Sequence, residues 1–600
     1  MLKQTFQNMR SPFLFLPLLF FFLTQNSSAQ ANAKISWWNP AQNEFNVIEG
    51  QAWPNRVQSR YDRLPEDAEG KVRKAVWNLS KQSAGLSIRF RSNSSAIHVR
   101  YKVGGRHAMP HMPATGVSGV DLYAKNSDGN WMWSRGRYSF GDTVRYDFNN
   151  INPKDPYHNL GREYTLYLPL YNSVEWLEIG VPENTRFEPL HVRQEKPIVV
   201  YGTSIAQGAC ASRPGMAWTS ILGRSLDNPL INLGFSGNGR LEDEMIDLIT
   251  EIEAKIYVLD CLPNLAPNKD RSLEEVRQLI ISSVNKLRER HSETPILLVE
   301  HAGYSDGSIN TNRHEIYTGL NKVLREAFAL LKSEGVKNIY LLPKSVMNLG
   351  VDSFVDGTHP SDLGMLQYAD GYEKYIRKIL HEPIGQNSTT IPVTQLREPG
   401  NYDWEKRHQE LLKMNKTDPP KICFFGNSIT HFWSGIPEGP SRNGGESWDE
   451  NFNDLGVRNF GFGWDRIENM LWRVYHDELD GFEAEQIMLM IGTNNLHLNS
   501  DSEIIDGLQL LIQAIQHKQP EAIISLIGIL PRRQQEPRVH ELNLKISQLA
   551  GMMEINYTDI GKKLLNSENE IEVSYFSDGL HPNEKGYEIL GPILKDYLER

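Results

Sequence analysis

Tyr201-Gly202-Thr203-Ser204-Ile205 and Phe425-Gly426-Asn427-Ser428-Ile429 are two versions of one phrase: an apolar strand running into a tight turn that carries a serine. Each has a distant counterpart, Asp356-Gly357-Thr358-His359-Pro360 and Asp578-Gly579-Leu580-His581-Pro582. Serine and histidine stand almost equally far apart in both, Ser204 to His359 and Ser428 to His581. The block between each pair is therefore a repeat of architecture and not a chance motif.

Working outward from the first pair, runs 198–201, 255–260, 296–300 and 338–342 are apolar and β-branched, and 274–290 and 314–334 between them have helical spacing. The second block restarts the alternation, with strands predicted at 422–425, 487–491 and 523–529 and helices at 502–517 and 538–552. Strand–helix alternation predicts a parallel sheet with helices on its faces. Before residue 197 the texture is different. Short alternating, aromatic-rich runs (87–91, 96–103, 164–168 and 174–179) lack helical periodicity and predict a β-sandwich or jelly roll.

The fold expected is thus α/β, two tandem flavodoxin-like domains of parallel sheet and flanking helices behind an all-β domain. The boundaries read as follows: 1–29 a signal peptide, 30–196 the β-domain, 197–382 the first α/β domain, 383–398 a polar Pro/Gly/Ser/Thr linker, and 399–600 the second α/β domain.

The signal-peptide reading rests on Lys3 and Arg10, the apolar run from 12 to 23, and the small residues Ser27-Ser28-Ala29. It makes the protein secreted or periplasmic, with no stable membrane insertion after cleavage. The run is short for a bilayer, and no other apolar stretch would cross one. The net charge of −11 is spread without a basic block, which argues against a nucleic-acid partner. Three cysteines, Cys210, Cys261 and Cys423, make no disulfide framework and have no zinc-ligand spacing. Cys210 and Cys261 follow strands of one domain and could meet, or each could be a buried thiol. The sequence leaves the oligomeric state open.

The chemistry follows from residue types. A serine hydroxyl becomes a nucleophile when histidine takes its proton, and an aspartate three residues before the histidine can fix the imidazole tautomer. Strand ends of an open α/β sheet face one crevice, so the serine and the remote Asp/His loop can converge. The proline after each histidine suits the first turn of a closing helix. Between these elements lie Asn232 to Gly237 and Asp260 to Asn264 in block one, and Asn459 to Trp464 and Gly492-Thr493-Asn494-Asn495 in block two. A loop amide, an asparagine side chain and the serine's own N–H would form an oxyanion hole. An α/β-hydrolase would need Gly-x-Ser-x-Gly, which neither block has.

On these motifs both blocks resemble SGNH (GDSL-type) hydrolases, whose four motifs supply Ser, Gly, Asn and a closing Asp-x-x-His. Block two is also similar to the catalytic subunits of platelet-activating-factor acetylhydrolase Ib, through Asn459 to Gly463, Leu471-Trp472-Arg473, Gly492 to Asn495 and Leu530-Pro531-Arg532. Gly119-Val120-Asp121-Leu122-Tyr123 resembles the GxDLY module that precedes some SGNH esterases. The resemblance implies a first site of Ser204, Gly237, Asn264, Asp356 and His359. It implies a second of Ser428, Asn494, Asp578 and His581. Both blocks depart from the family in having Thr203 and Asn427 where aspartate is usual. Block two has Trp464 at the oxyanion glycine, with Gly463 as the alternative donor.

The function expected is a secreted serine esterase, a carboxylic ester hydrolase that removes small acyl groups, above all O-acetyl, from carbohydrate. No metal or cofactor is expected, and the partner is an acetylated glycan or other small ester. A lipid or phospholipid acetylhydrolase and a glycan-binding protein with degenerate hydrolase domains are the alternatives. The β-domain is expected to position or bind substrate. Trp37, Trp38, Trp131 and Trp133 are read as its core packing, and His107 and His111 as surface or packing residues.

Overall fold

The computed structural model describes residues 34–152, 160–397 and 400–599. The signal-peptide reading of residues 1–29 lies outside them. No helix among the described residues is long and apolar enough to cross a membrane.

Residues Ile35–Pro189 form two antiparallel sheets packed face to face. One runs in the order Ile35–Trp38, Val174–Pro182, Ala96–Val103, Val144–Asn149, Arg137–Ser139. The other runs Phe187–Pro189, Ser87–Ser92, Arg162–Tyr167, Asp121–Lys125, Trp131–Ser134. Alternation explains the layer: Ile97, Val99 and Tyr101 point into a core shared with Ile88, Phe90, Leu122 and Leu166. Of the four tryptophans, Trp38 packs against that core beside Phe187 of the second sheet. All four sit on the edge strands Ile35–Trp38 and Trp131–Ser134; Trp37, Trp131 and Trp133 are outside the core, and Trp133 is 49% exposed.

The first α/β domain carries five parallel strands in the spatial order Leu230–Gly234, Ile198–Gly202, Ile256–Asp260, Ile296–Val299, Ile339–Leu342. The second repeats it with Val457–Gly461, Ile422–Gly426, Gln486–Met490, Ile523–Ile527, Asn556–Thr558. This is the 2-1-3-4-5 order of flavodoxin-like sheets, whose switch point lies between the first and third strands in sequence. Both serines follow the first strand and so stand at that point. Helices cover both faces, and several start at a capping side chain: Ser272 before Leu273–Arg290, Ser361 before Asp362–Leu380, Ser500 before Asp501–Lys518 and Asn583 before Glu584–Leu598. Pro360 and Pro582 therefore precede the capping residue and lie outside the helix. Each instead closes a β-bridge, to Phe354 and to Phe576.

The polar stretch predicted as a linker is pinned on both sides. Leu396 N–H donates to Ser127 O and Val393 N–H to Glu468 O. Arg397 reaches Asp128 at 2.6 Å, and Gln395 is buried.

Candidate active sites

In the first site Thr203 caps the short helix Ser204–Gln207 through its hydroxyl, which accepts from Ile205 N–H. Asn427 does the same for Ser428–His431, accepting from Ile429 N–H at 2.9 Å. The residues that replace the usual aspartate thus hold the serine turn by the amide that follows the serine. Ser204 Oγ lies 2.8 Å from His359 Nε2, and His359 Nδ1 lies 2.7 Å from Asp356 Oδ2. In the second site Ser428 Oγ is 2.9 Å from His581 Nε2, and His581 Nδ1 is 2.7 Å from Asp578 Oδ2. The structure brings together both sets of three side chains named from sequence.

The Asp/His loops share one construction. Asp356 Oδ1 accepts from Thr358 N–H and His359 N–H, and Asp578 Oδ1 accepts from Leu580 N–H and His581 N–H. Gly357 and Gly579 take left-handed φ values of 82° and 88°, which turn the chain back to present the histidine. Burial pushes the Asp356 carboxyl upward, but hydrogen bonds from His359 and the two amides outweigh it and hold the group at about 2. The same contest lowers Asp578. Both carboxylates are therefore ionised wherever the imidazole can act as a base.

The oxyanion elements come next. Gly237 has φ 69°, and Trp464, at the matching position, has φ 62°. Both loops close with the same bonds. Phe235 N–H donates to Gly202 O at 3.0 Å and Phe462 N–H to Gly426 O at 3.1 Å, while Asn238 N–H returns to Phe235 O and Asp465 N–H to Phe462 O. The backbone path is thus conserved across the glycine-to-tryptophan change. Gly463 N–H donates to His431 Nδ1 at 3.1 Å and is committed there, and Trp464 stands at the position of Gly237. The asparagines differ. Asn264 Oδ1 accepts from Gly239 N–H, which turns its amide NH₂ away from that contact, whereas Asn494 Nδ2 donates to Asp465 O at 3.0 Å.

Several supports escaped the sequence reading. Tyr171 of the β-domain donates to Ser204 O at 3.2 Å, and Gln207 Nε2 is held by Leu170 O and Gln82. Arg63, fully buried, donates to Asn232 O and Gly234 O at the end of the neighbouring strand. In the second domain Arg407 takes that place, donating to Asn459 O and Gly461 O. The GxDLY-like segment is a clamp between domains: Asp121 accepts from Gly215 N–H, the Arg213 guanidinium and Trp133 Nε1, while Arg213 also donates to Tyr123 Oη. His111, read as a surface or packing residue, stands with its ring 6.0 Å from that of His359.

Cys210 and Cys261 do not bridge, and all three cysteines are free thiols. Cys261 faces Tyr201 O, while Cys210 Sγ lies within 4.8 Å of ligand-type atoms of Asp356 and His359. Burial and then the Asp356 charge raise the Cys210 thiol to about 12, so it is neutral. An ion held by this trio would have to break the Asp356–His359–Ser204 chain, because those side chains already spend their atoms on one another.

With the geometry in place, comparison with known proteins is decisive. Models of the GDSL-like Lipase/Acylhydrolase family match residues 195–377 and 424–589. A third, described as the N-terminus of Esterase_SGNH_hydro-type, matches 35–187. A crystal structure of a GDSL-like lipase from Bacteroides ovatus is 32% identical, with a TM-score of 0.53, over 58% of this chain and 98% of that one. The chain belongs to the GDSL/SGNH hydrolase family. Among curated proteins, platelet-activating factor acetylhydrolase IB subunit alpha2 of Rattus norvegicus is 28% identical over 206 residues, 34% of this chain and 86% of the relative. Subunit alpha1 of the same organism is 26% identical over 208 residues, 34% of this chain and 85% of the relative. A tandem pair of family domains behind a GxDLY-type β-domain supports an esterase.

Proposed function

We propose that the protein is a carbohydrate acetylesterase acting outside the cytoplasm, with Ser204, His359 and Asp356 as one catalytic triad and Ser428, His581 and Asp578 as a second. The observation that carries this is the continuous chain of hydrogen bonds from serine through imidazole to an ionised carboxylate, formed twice.

Ser204 Oγ attacks the ester carbonyl carbon while its proton passes to His359 Nε2. The carbonyl π electrons move onto oxygen, where the Ser204 and Gly237 N–H groups and Asn264 Nδ2 receive the charge. Collapse breaks the bond to the sugar oxygen, which leaves with the proton from His359. Water then attacks the acetyl-serine, giving a proton to His359; collapse breaks the bond from Ser204 Oγ to the acyl carbon, Oγ takes the proton back from His359, and acetic acid leaves and ionises in solvent. Asp356 holds the tautomer and faces the imidazolium throughout. In the second site Ser428, Trp464 N–H and Asn494 take the corresponding parts. The carbohydrate assignment draws on the export signature at residues 1–29 and on the β-domain clamped to site one.

A lipid acetylhydrolase is the second reading, favoured by the 28% identity to a platelet-activating factor acetylhydrolase subunit. Acetate release from a panel of acetylated polysaccharides, acetylated monosaccharides and short-chain lipids decides between them. Faster release from lipids than from any glycan would replace the first reading by the second. Failure of both serines to react with a fluorophosphonate probe would favour a glycan-binding protein without turnover.

A further inference from the structure

Beside site one, where the β-domain meets the loop that follows the serine helix, lies a cleft of about 480 Å³. Its walls come from both domains: Trp133, Arg135, Arg137 and Tyr138 from the sandwich, Ser212 and Arg213 from the hydrolase domain. Two of the aromatic rings are open to solvent, Trp133 at 49% and Tyr138 at 54%. Trp133 carries the Arg213 guanidinium over its ring at 4.6 Å, and Tyr138 packs on Tyr146 at 5.4 Å, so each ring is braced by a neighbour and still partly open. Braced, partly open aromatic rings in a concave wall suit the flat apolar faces of sugar rings.

The charge is equally distinctive. Arg213 is neutralised by Asp121, whose remaining capacity is taken by Gly215 N–H and Trp133 Nε1. Arg135 and Arg137 are different. Among the described residues neither guanidinium has a hydrogen-bond or carboxylate partner, in a chain whose net charge is −11. Two unpaired guanidinium groups flanking aromatic faces offer planar donors to a carboxylate.

The cleft is also connected to the triad. Ser212 N–H and Oγ both bond to Asp362, three residues past His359. Thr115 lines the cleft and donates to Ser212 O, and His111, four residues earlier, reaches His359. Four residues of chain span at most about 14 Å. The Thr115 wall of the cleft therefore stands within about 14 Å of the His111 backbone, beside the triad histidine.

We infer that this cleft is the substrate-binding subsite of site one and that it selects carboxylate-bearing glycans, with Arg135 and Arg137 receiving the acid groups and Trp133 and Tyr138 stacking on the sugar rings. This rests on the esterase reading above, but its test does not. Wild-type protein is titrated calorimetrically with an ester-free oligogalacturonate and with a neutral oligogalactan of equal length. Acid-specific binding is expected, weakening as salt rises. Arg135→Gln and Arg137→Gln should each weaken it about tenfold, the effect of one charge-assisted hydrogen bond. Arg145→Gln, which removes an exposed arginine outside the cleft, should leave binding intact. Near-ultraviolet circular dichroism of each variant reports folding, and Arg→Lys at both positions offers a second, milder pair.

Equal binding of acidic and neutral oligosaccharides, no binding of either, or full affinity in folded Arg135 and Arg137 variants would overturn the subsite. Aryl acetate hydrolysis by wild type is scored separately. If it is present while acid binding is absent, the subsite fails and the esterase reading stands. If it is absent while arginine-dependent binding is present, the reverse holds.

Discussion

Replacing Trp464 by glycine in a Ser204→Ala background isolates the second site and asks what a bulky residue does at an oxyanion corner. The left-handed backbone at φ 62° costs an L-residue roughly 1–2 kcal/mol, and glycine relieves it. The N–H is aimed by bonds that do not involve the indole: Phe462 N–H to Gly426 O, Asp465 N–H to Phe462 O, and the clamps of Gln395 and Tyr402 on Gly463 O at 2.9 and 2.7 Å. Arg397 holds Trp464 O from the other side. Since the donor keeps its direction, kcat for a small aryl acetate should change by no more than about threefold, less than 1 kcal/mol of barrier. The indole's loss should appear in KM, with its half-buried surface leaving the pocket wall. Asn494→Ala should cost about 10²–10³ in kcat, the usual effect of removing an oxyanion donor. Steady-state hydrolysis of p-nitrophenyl acetate measures all three proteins. A rise in kcat of a hundredfold or more in Trp464→Gly would refute the reasoning, because it would mean that the side chain, not the clamped backbone, sets the donor.

Ser204→Ala and Ser428→Ala should each remove the turnover of one site, and the double variant should lose about four to six orders of magnitude; adding His359→Ala to Ser204→Ala should cost site one nothing more, as rate assays in a Ser428→Ala background will report. Tyr171→Phe strips a hydrogen bond from the Ser204 carbonyl, worth about 1 kcal/mol, and should slow site one about fivefold while leaving site two untouched in the complementary serine variants. Asp260 is fully buried, and burial raises its carboxyl to about 7 against a single opposing bond from Tyr372 Oη. The folded state holds that proton more tightly than the unfolded chain, so its stabilisation is complete below about pH 4 and lost as pH rises through 7, a difference of about 4 kcal/mol. Asp260→Asn should flatten this dependence in urea melts from pH 4 to 8, and parallel profiles for wild type and variant would contradict it.

Much of this was legible because it is written in local pattern. Buried parallel strands such as Ile198–Gly202 are continuous apolar runs, and the helix read as 274–290 begins one residue earlier, at Leu273, behind its Ser272 cap. The serine and Asp/His loops were readable because short-range hydrogen bonds fix which residue types they accept. What the sequence hid is of two kinds. Edge strands such as Asn556–Thr558 are too short and polar to show a period. Long-range supports such as Arg63, Tyr171 and Arg407 have no local signature, since an arginine buried against strand-end carbonyls reads as an ordinary surface charge until the fold delivers its partners. Trp133 misled for the converse reason: a large aromatic side chain in an apolar run reads as core, yet its strand lies at the edge of its sheet.

The supports also revise the role expected for the β-domain. Site one does not stand on its own domain: the carbonyl of Ser204, the side chain of Gln207 and the strand end at Asn232 and Gly234 are all held from the sandwich. Site two meets the same mechanical need from within and from the segment before it, through Arg407, Tyr402 and Gln395. A chain beginning at Pro197 would lose the hydrogen bonds that brace the Ser204 carbonyl and the strand-end carbonyls and would open them to water, a net loss of about 1 kcal/mol per bond and of the external hold on the serine turn. Such a truncation should therefore impair aryl acetate turnover at site one as well as polysaccharide turnover, and should slow site two, assayed in a Ser204→Ala background, to a smaller degree, through loss of the Asp128, Arg89 and Arg91 contacts to Arg397, Glu405 and Asp403. A truncated protein with full site-one activity on the small ester would show that the sandwich holds substrate only, and that its grip on the serine turn is incidental.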